Sequence, residues 1–326
     1  MTKRILSGMR PTGKLHLGHL VGALNNWVKL QDDYQCFYMI ADWHALMSEY
    51  GNPEGMREWS YDMVRDFVAA GLDPEKSVIF IQSQVPEHLE LAMVFSDITP
   101  LAWVERVPTY KEQLREVKGR DLTTYGFLGY PVLQAADIAV YKASAVPVGA
   151  DQIPHLELTR EIIRRFNSIY KKNVFPEPEA LLTKTSKLLG LDNRKMSKSY
   201  DNFIALSDTP ETIKKKVASM ITDPERIRLH DKGHPDICSV FSYFSTFTRA
   251  DLRANVKDWC EGAKKGCTEC KKNLAEVLIE YLQPLKSRRN SLTDSDIEDI
   301  IRNGAKRARA AAGETMSEVR PLINFV

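Results

Sequence analysis

The chain has 326 residues, 43% of them hydrophobic and 27% charged, with a formal net charge of +2. That balance excludes a disordered or low-complexity polypeptide, supports a sizeable core in two domains or one large α/β domain, and gives no general signature of a nucleic-acid binder. No apolar run is long enough to span a membrane, and the first residues (MTKRILSG) lack the apolar stretch of a secretory signal, so a cytoplasmic location is expected.

Ile5 and Leu6 open a short apolar strand, and from Leu17 the apolar positions Leu20, Val21, Leu24 and Val28 recur at helical spacing. Residues 36–41 (CFYMIA) predict a buried strand, residues 56–70 a helix stopped by Gly71, and residues 77–82 (SVIFIQ) a further buried strand. Continuous apolar strands separated by helices predict a doubly wound α/β fold, with a parallel sheet covered on both faces and ligands at the strands' carboxyl ends. Val146, Pro147 and Val148, followed by Gly149, predict the last such strand, and residues 152–170 a helix. Beyond residue 200 the strand signals fade, and 211–221, 249–259, 268–285, 294–301 and 304–322 predict helices. The expected division is a catalytic domain over 1–199 and a smaller all-helical domain over 200–326.

After the first strand, Arg10 to His19 (RPTGKLHLGH) forms a glycine-punctuated turn leading into a helix. Unsatisfied N–H groups at a helix N-terminus attract phosphates, and the absence of a Cβ at Gly18 lets a flat base approach the backbone. His16 and His19, three apart, share a face from which both could donate to phosphate oxygens; the plainer reading is a pair of caps or surface histidines. A zinc pair would need a third ligand, and none is nearby in sequence. Far downstream, Lys195, Met196, Ser197, Lys198 and Ser199 (KMSKS) follow the loop-like GLDNR. Its two ammonium groups could close over a triphosphate and neutralise departing pyrophosphate, although alone it could be a basic surface loop.

HLGH and KMSKS together resemble the signatures of the class I aminoacyl-tRNA synthetases, and SGMRPTGKLHLGH, DWHAL, YPVLQAADI and VPVGADQ extend the resemblance to the tryptophanyl-tRNA synthetase family over nearly the whole chain. The resemblance implies activation of L-tryptophan with ATP and Mg²⁺, transfer to tRNA(Trp), anticodon reading by the helical domain, and a homodimer. It places Arg10, Pro11, Thr12, Gly18, His19 and the KMSKS residues around ATP, with Gly149, Ala150 and Asp151 at the ribose, Leu188 at adenine and Lys111 at a phosphate. It assigns Asp137 to the indole N–H, which is a donor that accepts nothing. Tyr130, Gln134, His44, Val146, Val148 and Gln152 complete the implied amino-acid pocket. The bland alternative for Asp137 is support of its own helix. Rival functions are a tyrosine-specific synthetase, a small-molecule adenylyltransferase, and a catalytically silent relative that binds RNA or senses iron.

Four of the five cysteines, Cys238, Cys260, Cys267 and Cys270, follow the spacing C-x21-C-x6-C-x2-C. Four thiolates with a single C-x-x-C suit a [4Fe-4S] cluster, zinc being the alternative and unligated buried thiols the null. The resemblance reaches a bacterial subset of the family with this spacing and such a cluster. Cys36, inside an apolar strand, is expected in the core. The basic groups Lys214–Lys216, Lys264/Lys265, Lys271/Lys272, Lys286/Arg288/Arg289 and Lys306/Arg307/Arg309 are expected as solvated helix faces, their concentration after residue 200 hinting at a polyanion.

Overall fold

The computed structural model describes residues 3–116, 121–182, 188–194, 196 and 198–325. Five parallel strands, β1 (Arg4–Met9), β2 (Gln35–Ile40), β3 (Val78–Ile81), β4 (Ala145–Val148) and β5 (Glu179–Leu182), form one sheet in the order β3-β2-β1-β4-β5. The doubly wound expectation is met. Side chains alternate between two buried faces, as the period of two requires. Leu6, Phe37, Met39, Val78 and Phe80 join the large core shared with the helices Glu87–Ile98, Tyr130–Val140 and Ile153–Ile169. From the other face Tyr38 stacks on Trp27 at 4.7 Å, and Phe67 of the helix Met56–Ala70 meets Trp27 edge-on.

The strand order reverses between β1 and β4, where the ladder pairs only Ile5 with Ala145. Pro147 follows, and a proline has no N–H to extend a ladder. The carboxyl ends of β1 and β4 therefore separate, and the crevice of a doubly wound sheet lies at that point. β5 is a strand beyond the last one expected. Its four residues are half-buried or exposed at the sheet's edge, so they carry no continuous apolar run.

The chain divides into two compact units, Met1–Gly13 with Asn26–Lys184 and Leu292–Val326, and Lys14–Asn25 with Thr185–Ser291. This partition departs from the expected boundary at 199/200, because the last helix belongs to the sheet-bearing unit. That helix runs unbroken from Asp294 to Val319 and packs on β3. The expected division into helices 294–301 and 304–322 is absent, and Gly304 marks a close approach: a Cβ there would overlap the Ile79 carbonyl of β3. Arg307 of the same helix donates to the carbonyls of Pro74, Glu75 and Ser77, so one of the basic groups clamps a loop. In the second unit, the helices Pro210–Ser219 and Ser239–Phe247 pack against Cys267–Ser291, and Ala250–Glu261 packs on Ser239–Phe247.

Gly304→Ala should destabilise the sheet-bearing unit by about 1–3 kcal/mol, the usual cost of forcing volume into a packed contact. Thermal melting should show a fall in Tm of roughly 2–10 °C, and an unchanged Tm would refute the close-approach role.

Candidate active site

The sheet places its chemistry at the carboxyl ends of the strands. β2 runs into the helix Asp42–Glu49, which carries His44. β3 runs into Gln82, with His88 on the next helix, Glu87–Ile98. These three side chains converge on Asp137, which lies in the helix Tyr130–Val140 and is 1% exposed. His44 Nε2 lies 2.7 Å from Oδ2, while His88 Nδ1 and Gln82 Nε2 lie 2.7 and 2.8 Å from Oδ1. Burial alone would raise the Asp137 pKa; the His44 imidazole and the hydrogen bonds from His44 and His88 outweigh it and hold the carboxyl down at about 2. Asp137 is therefore ionised, and His44, Gln82 and His88 reach it from other elements rather than from its own helix.

Tyr130 and Gln134 lie on the same helix face as Asp137, at intervals of four and three residues. The Tyr130 hydroxyl meets His155 Nε2 at 2.9 Å and Thr109 Oγ1 at 3.1 Å. Burial raises the Tyr130 pKa against the opposing effects of Thr109 and the Arg10 cation. Val146 and Val148 are buried in β4. At the strand's end, a Cβ on Gly149 would collide with the Asp151 carboxylate, so glycine permits that carboxylate to fold back over the turn. Gln152 Nε2 donates to Asp151 Oδ2 at 3.0 Å, and Ala150 is exposed beside them. Beyond β1, Arg10 is exposed and Pro11 buried, and Thr12 N–H closes a tight turn on the Arg10 carbonyl. Lys111 is exposed on the helix Pro108–Glu116.

In the second unit, the two lysine- and histidine-bearing motifs come together through the backbone. Leu17 N–H donates to the Ile204 carbonyl, Leu206 N–H donates to the Leu15 carbonyl, and His16 forms a bridge with Ala205. The segment after KMSKS is thus pinned beside HLGH. His16 N–H donates to His19 Nδ1 at 3.2 Å, which leaves Nε2–H as the donor of His19. Burial, then the Lys198 cation, lower the His16 pKa to about 4; burial, then His16 and Lys198, lower that of His19. Both rings therefore act as neutral N–H donors near pH 7, and positive charge comes from Lys198. A Cβ on Gly18 would press on the His16 ring and Met196 Sδ, so this glycine keeps the turn narrow. Leu188 and Met196 are buried. Lys195 and Ser197 lie outside the described residues; Ser199 is in the short helical turn Lys198–Tyr200. The preceding loop is braced, with Asn202 Nδ2 donating to Asp192 and Gly190 N–H to the Arg194 carbonyl.

Residues 2–283 match the family model of tRNA synthetases class I (W and Y). The chain belongs to this family. It is 51% identical to a tryptophan–tRNA ligase of Thermotoga maritima, over 99% of both chains. It is 44% identical to that of Aquifex aeolicus, over 99% of this chain and 100% of the other. Among solved structures, tryptophanyl-tRNA synthetase from Campylobacter jejuni, complexed with ADP and tryptophan, superposes with a TM-score of 0.91 at 33% identity, covering 99% of this chain and 100% of that one.

The second unit of this class I synthetase also contains the cysteines. Cys238 precedes the helix Ser239–Phe247, Cys260 lies near the end of Ala250–Glu261, and Cys267 and Cys270 occupy the first turn of Cys267–Ser291. All four line one pocket with Asp223, Arg226, Trp259 and Lys265. Among the described residues, no group of three or more His, Cys, Asp or Glu already has the geometry to hold a metal ion. Cys36 is buried in β2, as expected.

Gln82, His88, Thr109, His155 and Tyr141 were not legible as site residues. The signal available for the first two was their position just after a buried strand, in FIQSQVPEH.

Because the folded chain resists protonating His16 until about pH 4 while the unfolded chain accepts the proton near 6.5, stability is lost as pH falls through that window and is unaffected above it. From pH 7 to 5 this amounts to about 2 kcal/mol. Urea unfolding of the second unit at the two pH values should show His16→Asn losing about that much less than the unaltered protein; an equal loss would contradict the burial of a neutral ring.

Proposed function

We propose that this synthetase activates L-tryptophan with ATP, forming tryptophanyl-adenylate and pyrophosphate, and then transfers the tryptophanyl group to tRNA(Trp). The observation that carries the amino-acid choice is the ionised, buried Asp137. A carboxylate has about four lone-pair positions, and three are taken by His44, His88 and Gln82. One acceptor direction remains for the indole N–H. A side chain without a donor would leave that charge unpaired, which is how a polar site rejects an isostere. Tyr130, Gln134, His44, Val146, Val148 and Gln152 form the rest of the amino-acid site in this reading.

In the first step the tryptophan carboxylate attacks the α-phosphorus and pyrophosphate leaves. His16 and His19 present neutral N–H donors to the phosphoryl oxygens, and Lys198, with Lys195 and Lys111, neutralises the departing charge. Arg10, Pro11, Thr12, Gly18, Leu188, Met196, Ser197 and Ser199 contribute to nucleotide binding, and Asp151 accepts from the ribose hydroxyls beside Gly149 and Ala150. Mg²⁺ would enter with the triphosphate and neutralise its oxygens, in keeping with an ion held largely by phosphates rather than by a protein cage. In the second step a terminal ribose hydroxyl of the tRNA attacks the acyl carbon and AMP leaves.

The four cysteines suit a [4Fe-4S] cluster, with zinc as the alternative. They come from three segments but border one pocket, and Arg226 and Lys265 in its wall would offset the negative charge of four thiolates. When bound, the group would cross-link the helical region beside its basic surface. The exposed Lys214, Lys215 and Lys272 suit tRNA phosphates; Lys264 and Lys265 already pair with Asp258 and Glu269. Anticodon reading by this region, a homodimer and a cytoplasmic location complete the proposal; no helix among the described residues is long and apolar enough to cross a membrane.

Amino-acid-dependent exchange of pyrophosphate into ATP should respond to tryptophan and not tyrosine, and the reverse result would move the assignment to the tyrosine enzyme. Lys198→Ala should reduce exchange by about 10²-fold or more with tryptophan binding little changed; undiminished exchange would favour a silent relative. Protein purified anaerobically should contain iron and acid-labile sulfide with visible absorption, whereas a colourless, zinc-loaded preparation would exclude the cluster.

A further inference from the structure

Asp137 is served by two side chains that stand in none of the motifs, Gln82 and His88. His88 is fully buried, with Nδ1 2.7 Å from Asp137 Oδ1 and Nε2 2.7 Å from the Tyr141 hydroxyl. A carboxylate only accepts, so the proton shared with Asp137 belongs to Nδ1. The buried phenol keeps its proton, since burial and the nearby Asp137 charge raise its pKa, and its hydroxyl anchors Nε2. A continuous chain of hydrogen bonds therefore joins Tyr141, His88 and Asp137, with Nδ1–H donating to the carboxylate. Its far end is fixed: the Tyr141 ring stacks on Phe37 at 4.3 Å and meets Phe80 edge-on at 5.6 Å.

We propose that His88, anchored by Tyr141, is a specificity-positioning residue: with Gln82 it fills Oδ1 of Asp137 and so confines the carboxylate's remaining acceptor position to Oδ2. The inference rests on the reading of Asp137 as the acceptor of the indole N–H. Gln82 must turn Nε2 toward the carboxylate for the same reason, and His44 takes one position on Oδ2. Without His88, Oδ1 regains a free lone pair and the carboxyl group loses the contact that fixes its rotation. The substrate N–H then has competing acceptor directions, and a substrate lacking the donor no longer meets a charge held to face it. His88 does not touch the substrate in this scheme; it acts through Asp137.

The test compares kcat/KM in the exchange reaction for tryptophan and for β-(benzothiophen-3-yl)alanine, in which sulfur replaces the indole N–H. The unaltered enzyme should prefer tryptophan by about 10³-fold or more. His88→Leu should shrink that ratio by roughly 10–100-fold, the scale of a lost charge-assisted hydrogen bond, mainly through KM for tryptophan and with KM for ATP unchanged. His88→Asn, whose amide can return an N–H near the former Nδ1, should restore most of the ratio. Tyr141→Phe, which removes the anchoring hydroxyl but keeps the ring, should give an intermediate loss and carries the test if His88→Leu does not fold. If His88→Leu or Tyr141→Phe weakens both substrates alike and leaves the ratio intact, His88 is only structural and the proposal fails. If the unaltered enzyme itself does not discriminate, the reading of Asp137 falls first and takes the proposal with it.

Discussion

A carboxylate that is 1% exposed stays charged only where enough donors replace the water it has lost. At Asp137 those donors arrive from the carboxyl ends of β2 and β3 and the helices that follow them, so the sheet register fixes the electrostatics of the pocket. β2 pairs with β3 from Phe37↔Val78 to Ile40↔Ile81. The exits toward His44 and toward Gln82 consequently begin side by side. A one-residue slip would turn the buried faces inside out and separate the donors as well. The apolar sheet and the single charge at its edge are therefore one constraint, in which the core must set the register for the charge to be tolerable.

The histidines of the second unit solve a related problem in the opposite sense. His16 is buried beside a lysine, and the two effects together hold the imidazole neutral. A neutral imidazole can donate to phosphate without competing with the cation for counter-charge. This arrangement depends on the ladder between residues 15–17 and 204–206, which fixes the chain after KMSKS against the histidine turn. Phe203 continues the contact, with its ring 5.3 Å from that of His16 and the Lys216 ammonium 5.0 Å from its centroid. Asp208 accepts from the same lysine and from the Ala205 N–H, so side chains and backbone brace one turn.

Much of this was legible in the order of residues, for physical reasons that also explain the gaps. CFYMIA and SVIFIQ announce strands because both faces are buried and no polar alternation is required. EALL does not, because an edge strand of two half-buried and two exposed residues carries no pattern. The role of Gly304 was not legible, because nothing in its own helix reveals the Ile79 carbonyl that approaches it. Asp137 and His44 stand in motifs whose resemblance gave them roles, and the structure joins them at 2.7 Å. His88 and Gln82 stand in no such motif; their meaning lies in convergence across 49 and 55 residues of sequence. The cysteine spacing implied a common site, and the folded chain gathers the thiols around one pocket.

The cysteine pocket and the Asp137 pocket can be compared on the same electrostatic terms. Asp137 is buried with three donors and stays ionised. Cys270 is pushed up to about 12, first by its burial and then by the charges of Cys238, Cys260 and Cys267, with only Arg226 opposing. Four thiols so placed cannot all ionise by themselves, because each thiolate would face the others in a poorly solvated space. A metal centre reverses that balance, since a coordinated thiol is deprotonated outright. One pocket thus has its charge stabilised by the fold alone, whereas the other, in the proposed cluster-bound form, would reach its charged state with a cation supplied from outside. In that proposed form the packing of the segments that meet there, including Gly233, where a Cβ would overlap Cys260 Sγ, would be linked to metal occupancy, as binding energy in such sites is also folding energy.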